Sequence, residues 1–232
     1  MSAFDKFEKG VENAVNSIFS RAFSANLQPV ELATGIKKSM DDRAAAITRD
    51  RTVVPNDFTI ALSPKDFEKI SEWGESELLR ELSKVAKEYA REQRYTFLGP
   101  IEIQFEQRDS LPKGKLVVAS ASKRGAVAPA TYTNASAQNP IIEIGDERYI
   151  LTGPVTTIGR GSSCDITLDD SGVSRKHLEL RVTPHGVIAR DLDTTNGSFV
   201  EGHRITAATL VDGNTITIGR TKIMFWTSPE VE

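Results

Sequence analysis

Apolar residues recur along this chain with two different periods, and the change from one to the other divides it. Phe4, Phe7, Val11, Val15, Ile18, Phe19 and Phe23 stand three or four residues apart, which predicts an amphipathic helix over about Ala3–Phe23. A second helix is expected to start near Pro29, with Val30, Leu32 or Ala33, Ile36 and Met40 inward and Lys37 and Lys38 outward. Thr52-Val53-Val54 and Phe58–Leu62 read as two short strands around the turn chemistry of Pro55-Asn56-Asp57, hence a hairpin. Ser63 before Pro64 is an N-cap signal for a helix carrying Phe67, Ile70 and Trp73, bending near Gly74 and continuing through Leu78, Leu82, Val85 and Tyr89. Ile101, Ile103 and Phe105 then alternate on one face, and Leu116-Val117-Val118 is a last strand. The order helix, helix, strand, strand, helix, strand, strand implies an α+β domain over residues 1–120.

From 121 to 139 the composition turns to Ala, Ser, Thr, Asn and Gly, with Lys123 and Arg124 its only charges. We expect a flexible linker there, with an r.m.s. span of about 25 Å. Beyond Pro140 the period becomes two. Ile141–Ile144, Tyr149–Leu151, Val155–Ile158, Val187–Ala189, Ser198–Val200, Thr215–Ile218 and Lys222–Trp226 are short strands punctuated by Gly-containing turns. Ile166, Leu168, Leu178, Leu180 and Val182 alternate in the same way and should face a core. Residues 140–232 thus read as an antiparallel β-sandwich.

Composition narrows the function classes. Net charge is −3, without a basic stripe, so nucleic acid is not an expected partner. The first helix balances Lys6, Lys9 and Arg21 against Asp5, Glu8 and Glu12, unlike the Lys/Arg-rich face of an interfacial helix, so a core helix is the better reading. No apolar run approaches a membrane span, and charged Asp5, Lys6, Glu8 and Lys9 argue against a signal peptide. With one cysteine, Cys164, no intramolecular disulfide is expected, and the default location is cytoplasmic. The acidic residues Glu75, Glu77, Glu81, Glu88 and Glu92 alternate with Arg80, Lys84 and Lys87 as on a solvated helix face. The first half contains neither His nor Cys, and nothing in it points to catalysis or a cofactor.

The chemistry gathers between Ile158 and Gly197. Arg160, Ser174, Arg175, Thr195 and Asn196 fall at strand ends and together offer guanidinium, hydroxyl and amide donors suited to a phosphate. The Asn196 amide both donates and accepts, so it could also clamp a peptide backbone. Singly, each has a plainer explanation: Arg160 could pair with Asp165, Ser174 could cap a turn, and Asn196-Gly197 is a common turn dipeptide. A hydrolase triad of Ser174, His177 and Asp191 or Asp193 is disfavoured, because Ser174 and His177 are read as lying three apart on one strand and facing opposite ways. A zinc site from Cys164, His177, His185 and His203 lacks a known ligand spacing.

Gly159-Arg160, Ser174-x-x-His177 and Asn196-Gly197, in that order, resemble the forkhead-associated (FHA) signature, with Asp165-Ile166 and Asp191-Leu192 as supporting pieces. The departure is Glu201-Gly202 where the family commonly has Asn-Gly, expected to affect a turn and not the binding loops. The resemblance implies a phosphothreonine-reading sandwich with Arg160, Ser174, Arg175, Thr195 and Asn196 as ligands of the phosphopeptide. It also implies Gly159, His177 and Gly197 as loop scaffold, and a small apolar niche for the threonine γ-methyl. A helix beginning Phe7-Glu8-Lys9-Gly10-Val11-Glu12, a linker and a C-terminal FHA domain together resemble the actinobacterial two-domain FHA proteins with an N-terminal FHA-associated domain. That wider resemblance implies a non-enzymatic adaptor in Ser/Thr-kinase signalling linked to cell-envelope growth and division, without cofactor or metal. Its implied partners are phosphothreonine-bearing kinases or their substrates, including membrane-embedded envelope proteins that recruit it to the membrane. The alternative is an enzyme whose N-terminal domain is catalytic and is delivered to phosphorylated targets by the FHA module.

Overall fold

The computed structural model describes residues 27–48, 51–131 and 135–227. The helix expected over Ala3–Phe23 lies outside these residues. The chain divides into two units, Met1–Phe97 with Ile101–Lys123, and Leu98–Pro100 with Arg124–Glu232.

In the first unit, helix α1 (Pro29–Asp42) starts on Pro29, with Gln28 and Glu31 forming a reciprocal cap, and buries Leu32, Ala33, Ile36 and Met40. Strands β1 (Ala45–Thr48) and β2 (Arg51–Val53) pair antiparallel. Strand β3 (Asp57–Leu62) buries Phe58, Ile60 and Leu62. Ser63 caps helix α2 (Pro64–Trp73) by accepting the Asp66 N–H, and Gly74, at φ 102°, separates it from helix α3 (Glu75–Gln93). Strands β4 (Tyr95–Thr96), β5 (Glu102–Gln107) and β6 (Leu116–Ala121) follow.

The expected hairpin across Pro55 is not formed. Strand β2 pairs in parallel with β4, whereas β3 sits in a different sheet between parallel β5 and antiparallel β6. The reason is where the connecting donors go. Pro55 has no N–H, Val54 N–H donates to the Thr96 carbonyl and Asn56 N–H to the Ala121 carbonyl, so the chain is handed from one sheet to the other. Strand β1 had no counterpart in the sequence pattern; its apolar Ile47 is 63% exposed and signals no buried face.

The second unit begins inside the expected linker. Strand β7 (Val127–Pro129) pairs with β9 (Glu147–Leu151), which also pairs with β8 (Ile141–Ile144). Val127 and Ala128 are buried, and Ala135 packs with Ile141 and Ile150 in a small satellite cluster. The expectation of a coreless flexible segment over 121–139 is therefore corrected for this stretch. An edge strand is held through its backbone, which composition does not register, and small residues suffice to fill what lies beneath it.

The remaining strands are β10 (Val155–Gly159), β11 (Ile166–Thr167), β12 (Leu178–Thr183), β13 (Gly186–Asp191), β14 (Ser198–Val200), β15 (His203–Ile205), β16 (Ala207–Thr209), β17 (Thr215–Ile218) and β18 (Thr221–Trp226). Together with β7, β8 and β9 they form a five-stranded sheet, β11-β10-β12-β13-β16, and a seven-stranded sheet, β15-β14-β17-β18-β8-β9-β7. Alternate residues of both meet in one core that includes Ile158, Leu178, Leu180, Ile216, Ile218, Ile223 and Phe225. Glu201 (φ 48°) and Gly202 (φ 79°) form the left-handed two-residue turn between β14 and β15. Glu201 anchors that turn by accepting the Thr215 N–H at 2.6 Å.

Candidate functional site

Three loops at one end of the five-stranded sheet carry the residues singled out by sequence: Arg160–Asp165 between β10 and β11, Leu168–His177 between β11 and β12, and Leu192–Gly197 between β13 and β14. The first two are zipped together by backbone. Arg160 N–H donates to the Ser174 carbonyl and Gly161 N–H to the Arg175 carbonyl, both at 3.0 Å. The Cys164 thiol donates to that same Arg175 carbonyl. Gly159 makes this approach possible: a Cβ there would lie 2.4 Å from the Arg175 carbonyl oxygen.

The second loop is shaped by Asp170 and His177. Asp170 accepts the N–H groups of Gly172 and Arg220 and the hydroxyl of Thr221, joining its own loop to the β17–β18 turn. Those two backbone donors, opposed by burial and helped by Thr221 and the Arg220 charge, hold its carboxyl at about 2. His177 is fully buried, and its Nδ1 accepts the Ser174 N–H at 2.9 Å. The ring proton therefore sits on Nε2, which faces the Gly197 carbonyl at 3.2 Å and Thr194 Oγ1 at 3.3 Å.

Asp191 fixes the third loop by accepting from Thr194 N–H, the Thr194 hydroxyl and the Ser198 hydroxyl. Burial raises its carboxyl, but the Ser198 and Thr194 hydrogen bonds and nearby His177 outweigh it and leave the group lowered. Thr194 Oγ1 also accepts the Gly197 N–H at 3.0 Å. Gly197 adopts φ 79°, and the Arg204 guanidinium lies where a side chain at Gly197 would project.

The structure thus brings the sequence-predicted residues together with distinct roles. Arg160, Arg175, Thr195 and Asn196 are exposed and Ser174 is half-buried, while Gly159, His177 and Gly197 are buried behind them. Among the described residues, the side chains of Arg160, Ser174, Arg175 and Thr195 have no hydrogen bond or ion pair. Asp165 accepts from Thr157 N–H and its hydroxyl, so it is not the partner of Arg160. Asn196 donates one amide hydrogen to the Gly172 carbonyl at 2.8 Å, which leaves its Oδ1 available as an acceptor.

Ser174 and His177 do not share a strand, contrary to expectation. They belong to the loop before β12, and the imidazole faces the Ser174 amide. A Ser174–His177 triad is disfavoured for a different reason: with Nδ1 occupied by that N–H, the ring cannot take the proton of a Ser174 nucleophile through it.

A cleft of about 510 Å³ opens among these loops, lined by Ser163, Ser174, Arg175, Lys176, Leu192, Asp193, Thr194 and Thr195. Arg160 and Asn196 are not on its wall. Asp170, Thr194, Ser163, Lys176 and Asp193 were not singled out as binding or scaffold residues from sequence. Asp170-x-Gly172 carried a usable signal, since an Asp side chain bonding the backbone two residues on is a known turn device.

Comparison with known proteins yields two family matches. Residues 4–119 match the family described as FhaA, N-terminal domain, and residues 156–219 match the FHA domain. Glycogen accumulation regulator GarA of Mycolicibacterium smegmatis is 35% identical over 83 residues, 36% of this chain and 52% of that protein. FHA domain-containing protein FhaA of Mycobacterium tuberculosis is 37% identical over 76 residues, 33% of this chain and 14% of that protein. The chain spans about half the length of GarA and less of FhaA. A solved structure of Mycobacterium tuberculosis EmbR in complex with a low-affinity phosphopeptide is 32% identical, over 40% of this chain and 26% of that one, with a TM-score of 0.39.

Proposed function

The chain belongs to the family of the FhaA N-terminal domain, here followed by an FHA domain, and from that membership we propose a non-enzymatic signalling adaptor that binds phosphothreonine through its C-terminal sandwich. The observation that carries this reading is the set of donors left unengaged at one loop surface. Arg160, Ser174, Arg175 and Thr195 have no side-chain partner among the described residues, on loops fixed by a buried imidazole. A phosphothreonine brings close to two negative charges and three acceptor oxygens to such a surface. Arg160 supplies a two-pronged fork and Arg175 further charge. Ser174 and Thr195 supply hydroxyl donors, and Asn196 Oδ1 accepts a peptide N–H. GarA's name as a regulator supports a regulatory role.

The pathway is Ser/Thr-kinase signalling linked to cell-envelope growth and division. The partners are phosphothreonine-bearing kinases or their substrates, and the protein works in the cytoplasm, brought to the membrane by a partner embedded in it. The N-terminal α+β domain supplies a second interaction. Titration of a phosphothreonine peptide into wild type and Arg160→Ala tests the site. A charge-assisted bond contributes about 1.5–3 kcal/mol and Arg160 can make two, so binding should fall at least tenfold. Circular dichroism should stay unchanged, because the guanidinium is exposed. Wild-type affinity in the variant would remove Arg160 from the site.

A further inference from the structure

Asp193 is the only carboxylate among the residues that line the cleft, where Arg175, Lys176 and hydroxyl-bearing residues favour an anion. A fixed negative charge there opposes a phosphate dianion and lowers its affinity. The carboxylate is exposed and has no hydrogen bond or ion pair among the described residues, Lys176 included, so it is not committed to holding the loop. Its backbone explains only part of its presence. Asp193 adopts φ 55°, a left-handed conformation that Asp tolerates, but Asn and Gly tolerate it equally and carry no charge.

Resting on the phosphothreonine reading, we propose that Asp193 is a specificity-determining residue that selects peptides with a lysine or arginine beside the phosphothreonine. The cleft wall includes Asp193 and omits Asn196, whose amide is engaged with the Gly172 carbonyl. With the phosphate neutralised by Arg160 and Arg175, a basic flanking side chain meets Asp193 and an acidic one is repelled by it. Lys176 lies on the segment that carries Ser174 and Arg175, where its charge adds to the field holding the phosphate.

The test uses the full chain and one phosphothreonine peptide in which a lysine, a glutamate or an alanine is moved one position at a time along both flanks. Wild type should favour lysine over glutamate at one flank by about two- to fivefold at low salt, the range of an exposed ion pair, with the preference shrinking as salt rises. Asp193→Asn, which keeps the left-handed turn, should erase that preference and bind the alanine peptide at least as well as wild type. A wild-type preference for glutamate, or a lysine preference that survives in Asp193→Asn, overturns the inference while leaving the phosphate site intact. So does a preference that disappears only in Lys176→Gln. If no phosphothreonine peptide binds the wild type at all, the phosphothreonine reading itself fails and takes this inference with it.

Discussion

The imidazole of His177 is where the site loops are held in register. Its Nδ1 fixes the Ser174 amide and its Nε2–H reaches the loop that ends in Gly197, while the hydroxyl of Ser174 has no partner among the described residues. Ser174 is thereby placed through its backbone, with its hydroxyl left clear of the imidazole. Gly159 contributes in the same indirect way, by leaving room for the Arg175 carbonyl. An alanine at that position would have to push backbone aside, and overpacking of this kind costs about 1–3 kcal/mol. We therefore predict that Gly159→Ala lowers the sandwich's melting temperature and weakens phosphopeptide binding together, as read by a thermal melt and a peptide titration. A variant that melts and binds as wild type does would show that the Ser174–Arg175 backbone can retreat without consequence.

At the level of elements, the β11–β12 loop and the β17–β18 turn share one carboxylate. Asp170 is lowered to about 2 by the bonds it accepts from both, so it stabilises the fold fully above the ordinary aspartate range. That contribution is lost as pH falls from about 4 towards about 2. Asp170→Asn should therefore melt at a lower temperature than wild type at neutral pH, with the gap closing over that acidic window. A gap independent of pH would mean that shape, and not charge, joins the two turns. Most strands of the sandwich were legible because alternate apolar residues such as Leu178 and Leu180 mark one buried face, although the short edge strands β7, β15 and β16 carry no such alternation. The candidate ligands were legible because they carry donors in a fixed order. Asp170, Thr194 and Gly161 were not, since their work is done on backbone groups that only a folded loop brings near. In the first unit the helices were visible through burial of Leu32, Ile36, Leu78 and Leu82. The pairing of β2 with β4 was not, because parallel partners lie far apart in sequence and Pro55 mimics a hairpin turn.

For the whole molecule, strand β7 changes where the C-terminal unit is expected to begin. We propose that a fragment from Arg124 to Glu232 folds alone and binds phosphopeptide as the full chain does. A fragment starting at Gln138 lacks β7 and the Ala135 contact, and should unfold at a lower denaturant concentration. Equal midpoints for the two fragments would make β7 dispensable. Its presence has a consequence for the molecule's behaviour in a crowded solution. Strand β9 would otherwise present a row of unsatisfied backbone groups to any extended chain that met it, the usual starting point for unwanted polymerisation. Strand β7 takes over that edge and shortens it to the three residues Val127–Pro129, ending on a proline that has no N–H to offer, so an approaching chain finds few backbone groups to pair with.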